Sequence, residues 1–488
     1  MMALKDIVYR VSLKSVSGDM NDSVTGITFD SRAVNKGDLF VAVRGTATDG
    51  HLYIDKALEK GASAIVCEEL PADLKEGVTW IEVENSAKAL GLIASNYYNN
   101  PSSRLSIIGV TGTNGKTTTV SLLFRLFSKL GYKCGLLSTV VNRIGTEEVK
   151  ATHTTPDALQ LNELLDRMAK EGCTHVFMEA SSHALVQERM AGLAFRGAVF
   201  SNISHDHLDY HGTFEEYIKA KKKLFDELPK GAFALVNADD RRANVMLQNT
   251  KASKKSFSLK SMSDYKARVL SNTLEGLELD IDNKVGWYRL IGDFNAYNLL
   301  AVYSVAVELG EDPEEVLTAL SELKPAPGRF EHVPNKLGIT AIVDYAHTPD
   351  ALENVLATIK EVRTTNEQVI TVVGCGGDRD KAKRPLMAEI ACRFSDKVIL
   401  TSDNPRTEDP ERIIKDMQEG VSASNYRKAM SITNRREAIK AALGMAQAGD
   451  IVLVAGKGHE TYQEIDGIRH DFDDKKVIAD VLARLSSE

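Results

Sequence analysis

The chain has 488 residues, 43% of them hydrophobic and 26% charged, with a net charge of -8; such a length exceeds what one hydrophobic core serves, so two to four domains are expected and three is the working number. The composition is that of a globular protein, and the negative balance leaves no general polyanion-binding surface, which excludes nucleic acid as an expected partner. The five cysteines are scattered, odd in number and without C-x-x-C spacing, so they indicate neither a disulfide framework nor a zinc site and read as buried free thiols.

The opening "MMALKDIVYRVSLK" lacks the uninterrupted apolar stretch of a signal peptide, and no run of about 18 apolar residues occurs, so a cytoplasmic protein with no membrane partner is expected. The first hundred residues alternate short apolar runs, Asp38 to Val43 and Ala64 to Val66, with a helical pattern around Ile54 to Lys60. They close on "NSAKALGLIASNYYNNPSSR", a helix ending in a Pro/Ser-rich connector, which places a boundary near residue 103.

From Leu105 onward the pattern becomes strand, loop and helix. "IIGVTGTNGKTTTV" puts an apolar strand before a loop with glycines at 112 and 115 and a helix beginning near Lys116. Backbone N–H groups of such a loop and of the helix N-terminus converge on one point, and the Lys116 ammonium adds charge there, which suits a polyphosphate. Thr117 would supply a hydroxyl to Mg²⁺. The strict motif G-x-x-x-x-G-K-[ST] requires glycine at 110, where this chain has Val110, so the match is partial; an ordinary Gly-rich turn is the alternative.

The next strand, around Val176 to Met178, runs into "EASSHALVQERM". A carboxylate directly after a strand beside a phosphate loop is where a Mg²⁺ ligand sits, which assigns Glu179 that role against the alternative of a helix-capping Glu. After the strand Gly197 to Phe200, "SNISHDHLDYHGTFEEYIKAKKKLF" packs five His and Asp residues into seven positions. With no H-E-x-x-H or Cys partner, zinc is not indicated, and His207 reads as a ligand or neighbour of a second Mg²⁺. Lysines 219, 222 and 223 read as the solvated face of a helix.

A second boundary follows "LKPAPGRFEHV". Beyond it, apolar β-rich runs at Thr340 to Val343, Val369 to Val373, Val398 to Leu400 and Ile451 to Val454 alternate with helical stretches, a second doubly wound unit whose ligands belong at the strands' carboxyl ends. The fold expected is therefore α/β in three domains: 1–103, a small N-terminal α/β domain; 104–333, a central P-loop-type ATPase domain with a parallel sheet; and 334–488, a C-terminal Rossmann-like domain.

Taken in order, "GVTGTNGKTTT", "MEASSHAL", "HDHLDYHGTFEEYIKAK", "GDFNAYN", "PGRFE", "DYAHTPDAL", "GCGGDRDKAKRP", "DNPRTEDP" and "AGKGHE" resemble the Mur ligase family, and within it the branch that adds meso-diaminopimelate as the third amino acid. The resemblance runs from about Phe29 to Glu464. It implies an ATP-dependent ligase of peptidoglycan precursor synthesis, a monomer, that joins meso-diaminopimelate to the D-Glu carboxylate of UDP-N-acetylmuramoyl-L-Ala-D-Glu through an acyl phosphate, with Mg²⁺ as cofactor. It implies that Gly112, Thr113, Asn114, Gly115, Lys116, Thr117 and Thr118 hold ATP together with Asn295, Asn298, Arg329, Asp344 and His347. Lys221 would be carbamylated and would join Thr117, Glu179 and His207 around the metals, making Lys116, Lys221, Glu179 and His207 the catalytic set. Phe29, Ser31, Thr46, Ala47 and Thr48 match the uridine-diphosphate region. His153, Thr154, Thr155, Ser181, Gln187 and Arg189 match the muramoyl-dipeptide region, with His153 standing where the family carries an asparagine. Arg379, Asp403, Asn404, Pro405, Arg406, Gly456 and Glu460 match the diaminopimelate pocket.

A carboxylate is a poor electrophile and amide formation in water is uphill, so ATP must first phosphorylate it; the amine then displaces phosphate. Charge cancellation, alignment and exclusion of water are what such a site must supply. Two rivals stand beside this reading: folylpolyglutamate synthetase, which shares the ATPase core but not D-N-P-R or this N-terminal domain, and an ATPase motor or switch.

Overall fold

The structure, a computed structural model, describes residues 1–45, 48–151, 153–363 and 366–486. Among the described residues, three sheets of five or more strands follow one another along the chain, beside two small two-stranded ones. The first has the order Leu13–Ser17, Thr79–Val83, Ala64–Cys67, Leu39–Val41, Ile27–Thr28, parallel except for the antiparallel Leu13–Ser17. Side chains alternate across it, so Leu39 and Val41 face Leu90 and Ile93 of helix Ser86–Tyr97, while Phe40 and Trp80 face Ile54 and Ala57 of helix Ile54–Glu59.

The central sheet has eleven strands. Its middle is parallel, in the order Cys134–Leu137, His175–Glu179, Ser106–Thr111, Phe195–Phe200, Phe233–Asn237, Ser253–Ser258. The expected parallel sheet is nonetheless mixed. A hairpin, Asn142–Ile144 with Glu147–Val149, closes one edge; at the other, Tyr265–Thr273 still joins parallel to Ser253–Ser258, and Gly276–Ile281 and Lys284–Tyr288 then extend the sheet antiparallel. The last turn has Asp282 and Asn283 both left-handed, at φ 47° and 66°, the geometry of a two-residue hairpin that needs no crossover helix. Two cores, one on each face, are built around helices Lys116–Lys129 with Asp293–Glu308 and Ala158–Lys170 with Phe214–Asp226.

The third sheet has the order Glu331–Val333, Thr340–Asp344, Ile451–Ala455, Val369–Cys375, Lys397–Ser402, Ala429–Ser431. Glu331–Val333 pairs antiparallel with Thr340–Asp344 and so belongs to this sheet, although the expected boundary after 333 leaves it in the central domain; the joint lies earlier, in the Pro- and Gly-containing stretch before it. The other strands are parallel, with cores on both faces. All five cysteines are buried and free. Among the described residues no helix is long and apolar enough to cross a membrane.

Candidate active site

The carboxyl ends of the central and C-terminal parallel strands open onto one cavity of about 1050 Å³ lined by both domains, the position expected for a ligand of open α/β sheets. On the central side, strand Ser106–Thr111 feeds the loop 112–115 and helix Lys116–Lys129. Gly112 has φ 149° and a Cβ there would stand 2.0 Å from Ser201 Oγ; Gly115 has φ 87° and a Cβ would stand 2.6 Å from Asn298 Oδ1. Glycine is required at both, whereas Val110 is simply a buried strand residue, which explains the departure from the strict motif. Asn298 is held by a bond from its Nδ2 to Asn295 Oδ1 at 3.0 Å, and Asn295 donates to Ile291 O at 2.8 Å. Thr113 Oγ1 lies 3.2 Å from Tyr217 OH, Thr118 is buried, and Thr117 Oγ1 accepts from Arg329 Nη2 at 3.0 Å. Lys116 Nζ donates to the loop's own carbonyls, Gly112 O at 2.7 Å and Thr113 O at 2.8 Å; burial lowers its pKa, while Glu179 and Asp206 support the charge.

Lys221 is 1% exposed, its Nζ donating to Gly112 O at 2.9 Å and lying 4.4 Å from the Tyr217 ring centre. Burial, then the neighbouring Lys116, pull its pKa well below the ordinary lysine value, which favours a neutral amine. The expected solvated lysine face shrinks to Lys219. Lys222 is buried and bonded to Asp226 at 2.5 Å, and Lys223 pairs with Glu188, because the helix packs this side against the domain.

Glu179, 1% exposed at the end of its strand, accepts from Thr139 N at 2.8 Å and Thr139 Oγ1 at 3.2 Å. It is no helix cap: Ser181 Oγ accepts from Ala184 N and fills that position. His207 sits at φ 54° with its Nε2 3.3 Å from Asp206 Oδ2, and burial favours its neutral form. Thr117, Glu179, His207 and Lys221 all line the cavity. Among the described residues no group of three or more His, Cys, Asp or Glu is arranged to hold a metal ion. One carboxylate, one hydroxyl and otherwise substrate phosphates is a donor set that fits Mg²⁺, which keeps several waters and rarely takes an all-protein cage.

Next to Glu179, His153, Thr154, Thr155, Ser181 and Arg189 form another stretch of wall. Arg189 Nη1 donates to Thr155 O at 2.7 Å, and Gln187 Oε1 accepts from Arg189 Nη2 at 2.6 Å, so Gln187 orients the arginine from behind. Of the residues expected around the uridine end, the described ones, Phe29, Ser31 and Thr48, are not brought to this cavity. Phe29, 38% exposed, follows the edge strand Ile27–Thr28; Ser31 is buried beside it; Thr48 O accepts from Gly45 N at 3.0 Å. Thr46 and Ala47 lie outside the described residues.

On the C-terminal side, Asp344 Oδ2 accepts from Phe330 N at 2.6 Å, and burial pushes its pKa up to about 6. His347 donates from Nδ1 to Tyr345 O at 2.8 Å, and burial lowers its pKa to about 4, so it is a neutral ring with Nε2 free to accept. Arg379, Asp403, Asn404, Arg406, Gly456 and Glu460 line the wall, while Pro405 is buried behind it. Arg406 is left-handed at φ 53°, pinned by backbone bonds from its N to Glu464 O at 3.0 Å and from Asp466 N to its O at 2.7 Å. Its guanidinium donates to Gly377 O at 2.6 Å, and among the described residues no carboxylate pairs with it. The surface pair with Glu408 or Asp409 does not form: Glu408 is engaged by Arg384 at 2.8 Å and Lys381 at 3.4 Å, and Asp409 caps helix Pro410–Gln418.

Sequence reasoning missed several wall or supporting residues. Asp350 accepts from Asn114 Nδ2 at 2.6 Å and Ser204 Oγ at 3.0 Å, joining the C-terminal domain to the phosphate loop. Lys457, 0% exposed, bonds Asn404 Oδ1 at 3.0 Å and Glu460 Oε2 at 2.9 Å. Asp350 lies in "DYAHTPDAL" and Lys457 in "AGKGHE", so both stretches were in view but their burial was not.

Three family profiles match the chain in order: "Mur ligase family, catalytic domain" over residues 23–98, "Mur ligase middle domain" over 110–306, and "Mur ligase, glutamate ligase domain" over 328–458. A relative from Cytophaga hutchinsonii, named UDP-N-acetylmuramoyl-L-alanyl-D-glutamate--2,6-diaminopimelate ligase, is 60% identical over 485 residues, 99% of this chain and 100% of the relative. A solved structure of a ligase of that name is 36% identical, with a TM-score of 0.70 and 99% of each chain covered. A folylpolyglutamate synthase from Mycobacterium tuberculosis, solved with ADP, is 17% identical with a TM-score of 0.63 over 76% of this chain and 92% of its own, a likeness of fold alone. With three profiles in register and near-complete overlap with a relative at this identity, the chain belongs to the Mur ligase family.

Proposed function

We propose that the protein is an ATP-dependent ligase that adds meso-diaminopimelate to the D-Glu carboxylate of UDP-N-acetylmuramoyl-L-Ala-D-Glu, a step in peptidoglycan precursor synthesis, acting as a cytoplasmic monomer. One observation carries the reading: a phosphate loop, a wall with Arg189, and a pocket with Arg379, Arg406 and the carboxylates of Asp403 and Glu460 face the same cavity. Residues 1–103 would hold the uridine end through Phe29, Ser31 and Thr46 to Thr48, and the two larger domains would carry the chemistry.

The loop 112–118 and Lys116 would hold the β- and γ-phosphates, with Asn295, Asn298, Arg329, Asp344 and His347 around the rest of ATP. Lys116 Nζ would exchange its two loop carbonyls for phosphate oxygens. Mg²⁺, when bound near Thr117, Glu179 and His207, would neutralise phosphate charge so that a carboxylate can approach. The neutral amine favoured at Lys221 is the form that reacts with CO₂, which supports a carbamate there as a further negative group. Thr154, Thr155, Ser181, Gln187 and Arg189 would align the D-Glu carboxylate; its oxygen attacks the γ-phosphorus, ADP leaves, the amine attacks the acyl carbon, and phosphate departs as the amine sheds a proton. Arg379, Asp403, Asn404, Arg406, Gly456 and Glu460 would present that amine.

The experiment is phosphate release measured with each substrate omitted in turn. Release that requires ATP, the UDP-dipeptide and meso-diaminopimelate together is expected. Equal release from ATP alone would support a motor or switch, and release with a folate and glutamate would support the other rival.

A further inference from the structure

The amino-acid pocket contains a buried cation that does not itself face the cavity. Lys457 is 0% exposed, its Nζ lying 2.9 Å from Glu460 Oε2, 3.0 Å from Asn404 Oδ1, 3.9 Å from Asp403 Oδ1 and 5.5 Å from the Tyr462 ring centre. Asn404 Nδ2 donates to the same Glu460 Oε2 at 2.8 Å. One oxygen of Glu460 is thus held twice, while among the described residues Oε1 has Tyr345 OH alone, at 3.5 Å. Gly456 keeps this wall thin, since a Cβ there would stand 2.5 Å from Asp403 Oδ2.

Resting on the reading of the pocket given above, we propose that Lys457 is a positioning residue that makes the pocket selective for an amino acid with a second ammonium group. Asp403 and Glu460 carry two negative charges in a confined space, and Lys457 cancels one, so the pocket is matched to a single ligand cation beside the carboxylate that Arg406 receives. By pinning Glu460 Oε2 and Asn404 Oδ1 it also fixes which oxygen, Oε1, is left for that cation. A buried ammonium held by two acceptors, Glu460 Oε2 and Asn404 Oδ1, with the Asp403 carboxylate 3.9 Å away, is costly to place unless its partners need it. Lysine rather than arginine suits the site, because a compact charge reaches both acceptors from beneath.

The test is Lys457→Met in the full chain, assayed with meso-diaminopimelate and with L-2-aminopimelate, which keeps both carboxylates and the reacting amine but lacks the second ammonium. The KM for meso-diaminopimelate is expected to rise about 10- to 100-fold, the loss of a hydrogen-bonded charge. The KM values for ATP and the UDP-dipeptide and the kcat stay within about twofold, and the preference over L-2-aminopimelate collapses. A merely structural lysine would weaken both amino acids alike, and that result, an unchanged KM, or a fall in kcat alone would overturn the proposal. Should Lys457→Met fail to fold, Lys457→Gln, which keeps a donor without the charge, carries the same measurements; if neither variant folds, the role is structural and the proposal falls. A wild-type chain showing no release dependent on meso-diaminopimelate would instead remove the proposed function.

Discussion

Arg406 offers the sharpest test of the amino-acid assignment. Its guanidinium has one backbone acceptor, Gly377 O at 2.6 Å, and no carboxylate partner among the described residues, so it faces the cavity with donors to spare. Diaminopimelate differs from lysine by a second carboxylate, which a guanidinium can grip through two parallel bonds. Missing one partner of such a pair costs about 2–5 kcal/mol in a closed site, and because Arg406 is only partly buried the lower end applies. At about 1.4 kcal/mol per decade, Arg406→Ala should lose about 30- to 300-fold in kcat/KM for meso-diaminopimelate. The substitution leaves the backbone bonds to Glu464 and Asp466 intact and keeps a Cβ at φ 53°, so backbone strain is unchanged and a fold effect is small. Competition kinetics with meso-diaminopimelate and L-lysine provide the assay. The loss should fall on meso-diaminopimelate and spare lysine, bringing the two kcat/KM values together. Comparable values in the wild type, or a variant that keeps its preference, would refute the reasoning and leave a Mur-type ligase of unassigned amino acid.

Lys116→Ala should lower turnover by about three orders of magnitude or more, since two phosphates lose their fixed cation, while circular dichroism and Tm stay near wild type; near-normal turnover would take the loop out of the mechanism. Lys221→Ala should be nearly inactive and regain part of its rate with added short-chain carboxylates, and mass spectrometry showing an unmodified Lys221 in active enzyme would remove the carbamate. Asp344 holds its proton up to about pH 6 instead of 3.8. The native state therefore binds the proton more tightly than the unfolded chain, so its ionisation costs stability progressively from about pH 4 to 6, about 3 kcal/mol in full above that. Asp344→Asn keeps an acceptor for Phe330 N and should raise Tm more at pH 7.5 than at pH 4; a gain independent of pH would contradict the burial argument.

The parts of this site legible in the sequence are those set by local backbone. "TGTNGKTT" after an apolar strand reads as a phosphate loop because its glycines serve positive-φ turns that a local pattern announces, although their close approach to Ser201 and Asn298 is not announced, and the C-terminal pocket residues follow strands whose β-rich runs are plain. Register and long-range burial were not legible. The hairpins that make the central sheet mixed arise from polar, weakly alternating stretches such as "YKARVLSNT", which pairs with Gly276–Ile281 across a turn at 274–275, and from the next turn at Asp282 and Asn283, which pairs Gly276–Ile281 with Lys284–Tyr288. Lys222 and Lys223 looked solvated because a run of lysines usually is, yet Asp226 and Glu188 draw them in. The bond between Asn114 and Asp350 spans 236 positions, and no local pattern announces it.

That long-range contact bears on how two half-sites become one. The connector before the third sheet lies against both domains: Arg329 Nη2 reaches Thr117 in the phosphate loop while its guanidinium lies 4.6 Å from the Tyr345 ring centre. One residue earlier, Gly328 has φ 65° and approaches the loop of the amino-acid pocket so closely that a Cβ would stand 2.1 Å from His459 N. Phe330 N, one residue later, binds Asp344. The contact with Thr117 and the close approach to His459 are thus made by neighbouring residues, Arg329 and Gly328, with no flexible spacer between them. In the proposed reaction, a shift of the C-terminal domain that carries Gly328 and His459 with it would act on the neighbouring Arg329 and its bond to Thr117, which would couple the amino-acid pocket to the nucleotide site. An acyl phosphate survives only where water is excluded before it forms, so in the proposed reaction such a coupling would tie that exclusion to the pocket that receives the amine.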